Sequence, residues 1–339
     1  MGHGYKNYAF LYGTLEMVIE GNMGSNSLMK EIGGYIELDT YTGPMLHGDG
    51  IKLNCGRNAL AYLIEAKKIS KLWMPKYMCD SCDQVLASRN VEVAYYSIGL
   101  DFKPAIKNWD GWLYVVNFYG QLSNAYLSSL GANIIVDNAQ AYFQEPIKGV
   151  DTLYTCRKFF GVADGAILYT EKTIPVLQQD ESYKRMRFLL GRYERTASEF
   201  YQEYVDNNHF FATEPIKKMS RLTENLLHGI DYELIRRRRT ENFACLHEKL
   251  RSVNKLTLII PDGAFMYPLY VSDGDRIRKE LQREKIYIPT LWPSVFKICE
   301  EKELEYDMAK NLLPLPVDQR YNELQMADIV KILQAKITG

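Results

Sequence analysis

From about Leu53 to Thr170 the chain alternates short runs rich in β-branched and aromatic residues with stretches whose apolar positions recur at helical spacing. The runs predict strands over Lys71 to Met74, Val91 to Tyr96, Trp112 to Phe118, Asn133 to Val136, Thr152 to Thr155 and Ala166 to Tyr169. Between them NALAYLIEAK (Asn58 to Lys67) reads as a helix, with shorter helices over Cys79 to Ser88 and Ser123 to Leu130. Such alternation predicts an α/β core: a mostly parallel central sheet with helices on both faces.

From Glu171 to Ile230 charge and aromatics increase, the reading is helical, and no strong strand signal returns until Lys255. A long helix is expected over Tyr232 to Val253. Its Arg236-Arg237-Arg238-Arg239 run does not make a polyanion site, because a helix spreads four consecutive residues over every face. With Asp231, Glu233, Glu241 and Glu248 nearby, the run predicts a solvated, salt-bridged helix. After Leu256 come two strand candidates, TLII (Thr257 to Ile260) and FMYPLYV (Phe265 to Val271), then helices near Asp275 to Glu284 and Glu323 to Ala335. The expected division is an N-terminal segment over 1–50 packing on the small domain or a dimer face, a large domain over 51–230, and a smaller α+β domain over 231–339.

Composition narrows the class. The 339 residues are 47% hydrophobic and 24% charged, as in ordinary folded proteins, and 41 basic against 42 acidic residues leave no field for holding nucleic acid. No apolar run approaches the roughly 18 residues of a membrane span. The opening MGHGYKNYAF lacks the apolar centre of a signal peptide, and Lys6 stands where myristoylation needs Ser or Thr. A cytoplasmic protein without membrane or nucleic-acid partners is expected. The six cysteines are too few for a secreted disulfide framework and read as reduced thiols. Cys79-Asp-Ser-Cys82 has half the spacing of a zinc ribbon, but no second pair follows, so no metal site is assigned. A redox pair and a pair of buried small residues remain as readings of it.

Neither a P-loop nor a GxGxxG fingerprint occurs. Three other places carry chemistry. In IIVDNAQA an apolar strand ends in Asp137, putting a carboxylate where α/β sheets bind ligands; the alternative is a turn cap. In YTCRKFFGVADGAILYT, Lys158 sits between a strand and a glycine-containing turn, and flanking Phe159 and Phe160 would desolvate its amine for Schiff-base chemistry, although most lysines are surface charges. In LNCGRNALAYLIEA a strand turns through Gly56 into a helix start, an anion site to which Arg57 adds charge; the plainer reading is that Asn58 caps the helix.

Taken together, these segments resemble the DegT family of pyridoxal 5'-phosphate (PLP) aminotransferases, of the aspartate aminotransferase fold (PLP-dependent transferase fold type I). CGRNALAYLIEA is similar to the family's Gly-Thr-x-Ala-Leu helix start, and WMPKYMCDS to its strand ending in Pro before the cofactor ring. NFYGQ resembles its Tyr-Gly turn, IIVDNAQA its Glu-Asp-x-Ala-Gln motif, and TCRKFFGVADGAIL its Ser-x-x-Lys segment, with Lys158 following Asp137 by 21 residues. The similarity covers roughly residues 50 to 170 and is fainter from Leu256 to Leu333.

The resemblance implies roles for these residues. Lys158 would carry the cofactor and shuttle the proton, Asp137 would keep the pyridine nitrogen protonated, and Gln140 would lie against the phenolic oxygen. Amides at Gly56, Arg57 and Asn58, with the hydroxyl of Thr155, would hold the phosphate. Cys79 occupies the place of the aromatic residue that usually stacks on the ring, a task Tyr77 is placed to take over. Arg57 replaces the usual Thr, Val136 the usual Glu, and the family's Asn-Tyr-Arg-Met-like segment has no counterpart. The implied protein is a homodimer that transfers an amino group from a small-molecule donor such as glutamate to a keto acceptor, a sugar nucleotide at family level. Other PLP chemistry and a non-catalytic binding protein are the alternatives on this scaffold.

Overall fold

Seven strands make the central sheet: β1 (Ile51–Leu53), β2 (Lys71–Pro75), β3 (Glu92–Tyr96), β4 (Trp112–Val116), β5 (Ile134–Asp137), β6 (Asp151–Thr155) and β7 (Ala166–Tyr169). They lie in the order β1-β7-β6-β5-β4-β2-β3. The structure, a computed structural model, describes residues 32–337, so most of the predicted N-terminal segment lies outside the described residues. Each strand expected between residues 71 and 169 is present. β3, β2, β4, β5 and β6 run parallel, whereas β7 is antiparallel to both β6 and β1. The reason is chain length. Only Cys156 to Gly165 separates β6 from β7, and a parallel return needs a crossover of about a dozen residues or more.

The helices are α1 (Gly56–Lys67), α2 (Asp83–Ala87), α3 (Asn124–Ser129), α4 (Arg187–Glu194), α5 (Tyr201–Phe210), α6 (Arg221–His228), α7 (Tyr232–Leu250), α8 (Gly274–Arg283), α9 (Val295–Ile298), α10 (Leu304–Asn311) and α11 (Glu323–Ile337). The segment over 171–230 contains α4, α5 and α6 and no named strand, but it is irregular from 171 to 182 and between these helices, so the helical expectation holds only in part. None of the described helices is long and apolar enough to cross a membrane.

Beyond α7 the second sheet is small. β8 (Met266–Tyr270) pairs antiparallel with β9 (Leu312–Pro316). The expected strand at Thr257 to Ile260 does not form. Instead the Gln121 side chain serves as its partner: Ile259 N donates to Gln121 Oε1 at 2.9 Å and Gln121 Nε2 donates to Ile259 O at 3.1 Å. β9 carries no alternating pattern and contains Pro314 and Pro316, residues that a two-stranded ribbon tolerates because each strand keeps an unpaired edge.

Residues 40–339 form one compact unit. Residues 40–50, assigned to the N-terminal segment by sequence, pack on the sheet: buried His47 donates from Nε2 to Tyr142 O at 2.7 Å and stacks 4.1 Å from the Tyr154 ring. In residues 32–39, which belong to a separate unit, Ile32, Tyr35 and Ile36 are exposed. The arginine run divides. Arg236 pairs with Glu233 at 2.5 Å and Asp262 at 2.8 Å, and Arg237 faces Glu241 at 3.9 Å, as a solvated helix requires. Arg239 departs from that expectation, being 2% exposed on the face that α7 turns toward the core.

The β6–β7 connection is pinned at its far end by Asp164, which is fully buried. Its carboxylate accepts from Ser220 N and Ser220 Oγ at 2.7 Å each, and from the Thr223 hydroxyl, fastening the connection to the start of α6. Burial raises the pKa of Asp164, and these donors pull it back down. Asp164→Ala leaves several buried donors without an acceptor and is expected to cost about 2–4 kcal/mol. Urea unfolding should show this as a lower midpoint with an unchanged slope.

Candidate functional site

The site begins with a coincidence of register. Leu53 at the end of β1 and Thr155 at the end of β6 both pair with Ala166 of β7, so the chain leaves the sheet at one level on either side of β7. One exit becomes α1 and the other the Cys156–Lys158 turn. They meet closely enough that a Cβ on Gly56 would lie 2.6 Å from Thr155 Cγ2. Only glycine fits there.

α1 starts without a side-chain cap, and its first backbone bond from the amide end is Ala59 N to Cys55 O at 3.0 Å. The Cys55 thiol lies against the amides of Arg57 and Asn58. Burial raises its pKa to about 11, so it stays a neutral thiol and a poor acceptor. Thr155 Oγ1 is buried beside it with no hydrogen-bond partner. Two guanidiniums also converge: Arg57 Nη2 donates to Asn208 O at 3.2 Å, and Arg157 donates to Asn208 Oδ1 while its guanidinium lies 5.0 Å over the Phe211 ring. Burial and then repulsion by Arg57 lower the Arg157 pKa, with Tyr204, Cys55 and Asp164 opposing. An uncapped helix start, an orphaned hydroxyl and two arginines hydrogen-bonded to a neutral amide are donors that could together receive an anion.

Asn58 does not cap α1. Its Nδ2 donates to Asn54 Oδ1 at 3.0 Å and to Pro215 O at 2.7 Å, so the side chain ties down the 214–217 segment and leaves only its backbone amide at the helix start.

Asp137 ends β5 with its carboxylate buried on the same sheet edge. Tyr114 OH donates to Oδ2 at 2.9 Å and Ala139 N to Oδ1 at 2.8 Å. Burial raises the Asp137 pKa, while the Lys158 ammonium, the Ala139 amide and the Tyr114 hydroxyl each pull it down. Lys158 closes the turn after β6. The expected desolvation by its flanking rings does not occur: Phe159 and Phe160 turn inward, at 2% and 5% exposure, and leave the lysine side chain exposed, with Nζ 5.7 Å over the Phe265 ring.

Gln140 is buried, and its Oε1 accepts from Tyr119 N at 2.9 Å, which holds the Tyr119 turn and leaves its NH2 as the remaining donor. It lines a cavity of about 200 Å³ with Gly120, Ile260 and Ala264, below the roughly 300–1,000 Å³ of most ligand sites and not including Lys158 or Asp137. Cys79 is half-buried with Sγ 3.0 Å from Ser81 Oγ, and its neighbour Cys82 is close enough to Asp137 to feel its charge. Tyr77 is fully buried between Phe118 and Trp292, at 5.4 and 5.2 Å between ring centroids, and takes no place over the site. The sequence reading missed Tyr114, Arg157 and Asn208. Arg157 carried a signal in its position beside Lys158; Asn208 lies in the segment without a motif. Elsewhere Cys299, Glu303 and Glu305 come within 4.8 Å of one another, but Lys76 already binds Glu303 at 3.0 Å and supplies its counter-charge.

Among solved structures the chain is similar to DesV of S. venezuelae in complex with a ketimine intermediate, with TM-score 0.62 and 14% identity, over 88% of this chain and 91% of that one. A sugar aminotransferase, CalS13 of Micromonospora echinospora, matches with TM-score 0.57 and 15% identity over 84% and 86% of the two chains. The Streptococcus pneumoniae protein Spr1654, described as a putative sugar aminotransferase in its PLP form, matches with TM-score 0.60 and 14% identity over 87% and 92%. The chain shares the α/β fold of these proteins. No protein-family model matches the sequence, and no curated protein does.

Two outcomes follow from the geometry. Inorganic phosphate should raise the melting temperature of the ligand-free protein, and Arg157→Met should weaken that binding about tenfold or more, equivalent to about 1.4 kcal/mol. An unchanged phosphate titration would remove Arg157 from the anion site. Because the folded pKa of Asp137 is raised, its contribution to stability is present below the ordinary carboxylate value and is lost as pH rises through the folded one. Tyr114→Phe removes a donor to the charged form, so its destabilising effect in the ligand-free protein should be larger at about pH 7 than at about pH 4.

Proposed function

We propose that the chain is a PLP-dependent aminotransferase of DegT type that moves an amino group from a small-molecule donor, glutamate, to the keto group of a sugar nucleotide. The observation that carries this reading is the meeting, on one sheet edge, of an uncapped helix start flanked by two arginines, a buried carboxylate and a lysine on a short turn. The cofactor fits that arrangement: Thr155 Oγ1 is an orphaned donor, and Gly56, where a Cβ would clash with Thr155, keeps the helix start close beside it.

Each residue then has a task. The amides at Gly56, Arg57 and Asn58, the Thr155 hydroxyl and the Arg157 guanidinium hold the phosphate. Asp137 would accept a hydrogen bond from the cofactor's protonated ring nitrogen, whose positive charge would favour the carboxylate that burial alone disfavours. When bound, the cofactor supplies an electron sink for charge developing at the carbon next to the transferred nitrogen. Lys158 Nζ would be the covalent anchor and, once displaced, the base that takes the proton from the substrate's α-carbon. Its exposed, flexible stem suits a group that must occupy more than one position. The free NH2 of Gln140 would be the donor for the phenolic oxygen, and Cys79 would lie beside the ring.

Two neighbours support the reaction class: Spr1654 is described in both PLP and PMP forms, the two cofactor states that an amino transfer alternates between, and DesI with its TDP-sugar product. Within the one compact unit we assign cofactor binding to the residues before about 230 and a smaller part, built on β8 and β9, to those after. We assign the working form as a homodimer in the cytoplasm.

Protein mixed with PLP and reduced with borohydride should carry the cofactor covalently on Lys158, read by peptide mass spectrometry, and Lys158→Ala should carry none. Added glutamate should release 2-oxoglutarate in a single turnover. No adduct on Lys158 would end the cofactor reading, whereas an adduct without 2-oxoglutarate would leave the cofactor and overturn the donor.

A further inference from the structure

The carbonyl of Phe159, the residue after Lys158, is held from two directions. Arg239 Nη2 donates to it at 3.2 Å and Gln319 Nε2 at 2.8 Å. The two side chains are themselves joined, Arg239 Nε to Gln319 Oε1 at 2.8 Å. The other guanidinium nitrogen, Nη1, donates to Ala264 O at 3.0 Å, next to the Phe265 ring beneath Lys158 Nζ. The guanidinium also lies 4.5 Å over the Phe159 ring. Arg239 is thus the buried member of the arginine run, and it spends its donors on the lysine turn and its surroundings.

Burial without a hydrogen-bonded carboxylate is costly for a guanidinium; it lowers the Arg239 pKa to about 10, with Asp318 opposing. An apolar side chain would fill the same space at less cost, but it would leave the Phe159 carbonyl held by Gln319 alone. At its other end the turn is fixed by Cys156 N donating to Gly165 O at 3.1 Å. Hydrogen bonds thus hold the turn at both ends.

We infer that Arg239, with Gln319, is a positioning pair for Lys158, fixing the lysine turn against the C-terminal part of the chain. The inference rests on Lys158 being the covalent anchor proposed above. A lysine that leaves one partner and returns to another needs its Cα held, since a displacement of about 1 Å in such a group can cost about a hundredfold in rate.

The test uses Arg239→Met and, because Gln319 is only half-buried, Gln319→Ala as the variant expected to fold in any case. In the ligand-free protein, amide hydrogen exchange at Phe159 and Phe160, whose N–H groups bond to Cys156 O at 3.0 and 2.9 Å, should quicken about tenfold while β5 keeps its protection. In the loaded enzyme kcat should fall about 10- to 100-fold for Arg239→Met, and less for Gln319→Ala, with the donor KM within about threefold. Should Arg239→Met not fold, Gln319→Ala decides. Unchanged exchange in the turn, exchange that quickens equally in β5, or locally faster exchange with unaltered kcat would each overturn the inference. Exchange is read without cofactor, so it is separate from the borohydride result that tests Lys158 itself.

Discussion

Everything at this site depends on one strand running the wrong way. β7 is antiparallel because ten residues, Cys156 to Gly165, are too few to cross back over the sheet. That strand then offers Ala166 to both neighbours at once, to Leu53 on one side and Thr155 on the other. A helix start and a lysine turn, far apart in sequence, are brought level by a backbone ladder that no side chain needs to specify. Gly56 and Thr155 touch as a result of this pairing, and the short connection that forces it also carries Lys158.

Charge is distributed around this frame in a consistent way. Three arginines, Arg57, Arg157 and Arg239, are hydrogen-bonded to amide oxygens instead of carboxylates. Asp137 takes donors from neutral groups, Tyr114 and Ala139. The chain has a formal net charge of only −1, so the positive field at the cradle is local and arises from how these groups are partnered. Neutral partners leave each ion's charge unspent and available to a ligand, whereas a salt bridge would have cancelled it.

Much of this was legible in the sequence. β-rich runs spaced by helical stretches gave the strands from Lys71 to Tyr169 correctly, because short β-branched and aromatic runs between helices have few other places to go in an α/β fold. The IIVD run placed Asp137, and the glycine at the start of α1 marked the close approach. What failed was contact across distance. Phe159 and Phe160 looked like neighbours that would bury Lys158, but consecutive residues on a turn point different ways, and the rings joined the core. The four arginines looked alike, yet only tertiary packing decides which face of α7 is covered. Thr257 to Ile260 read as a strand and lost its backbone partner to the Gln121 side chain, a substitution with no local signature. Asn208 sits in a stretch where neither periodicity nor motif distinguishes it.

Asn208 gives that unmarked stretch an importance its sequence does not advertise. Its backbone oxygen receives Arg57 and its side-chain oxygen receives Arg157, so one residue of α5 spaces two like charges that would otherwise push apart. The helix around it is largely solvent-facing, with Tyr201 and Tyr204 exposed. Change on a surface helix of this kind ordinarily costs little. Here it has a price: a change that lengthens, shortens or rotates α5 also resets the distance between two guanidiniums. A change in the least recognisable part of the chain therefore reaches the geometry of its most recognisable part.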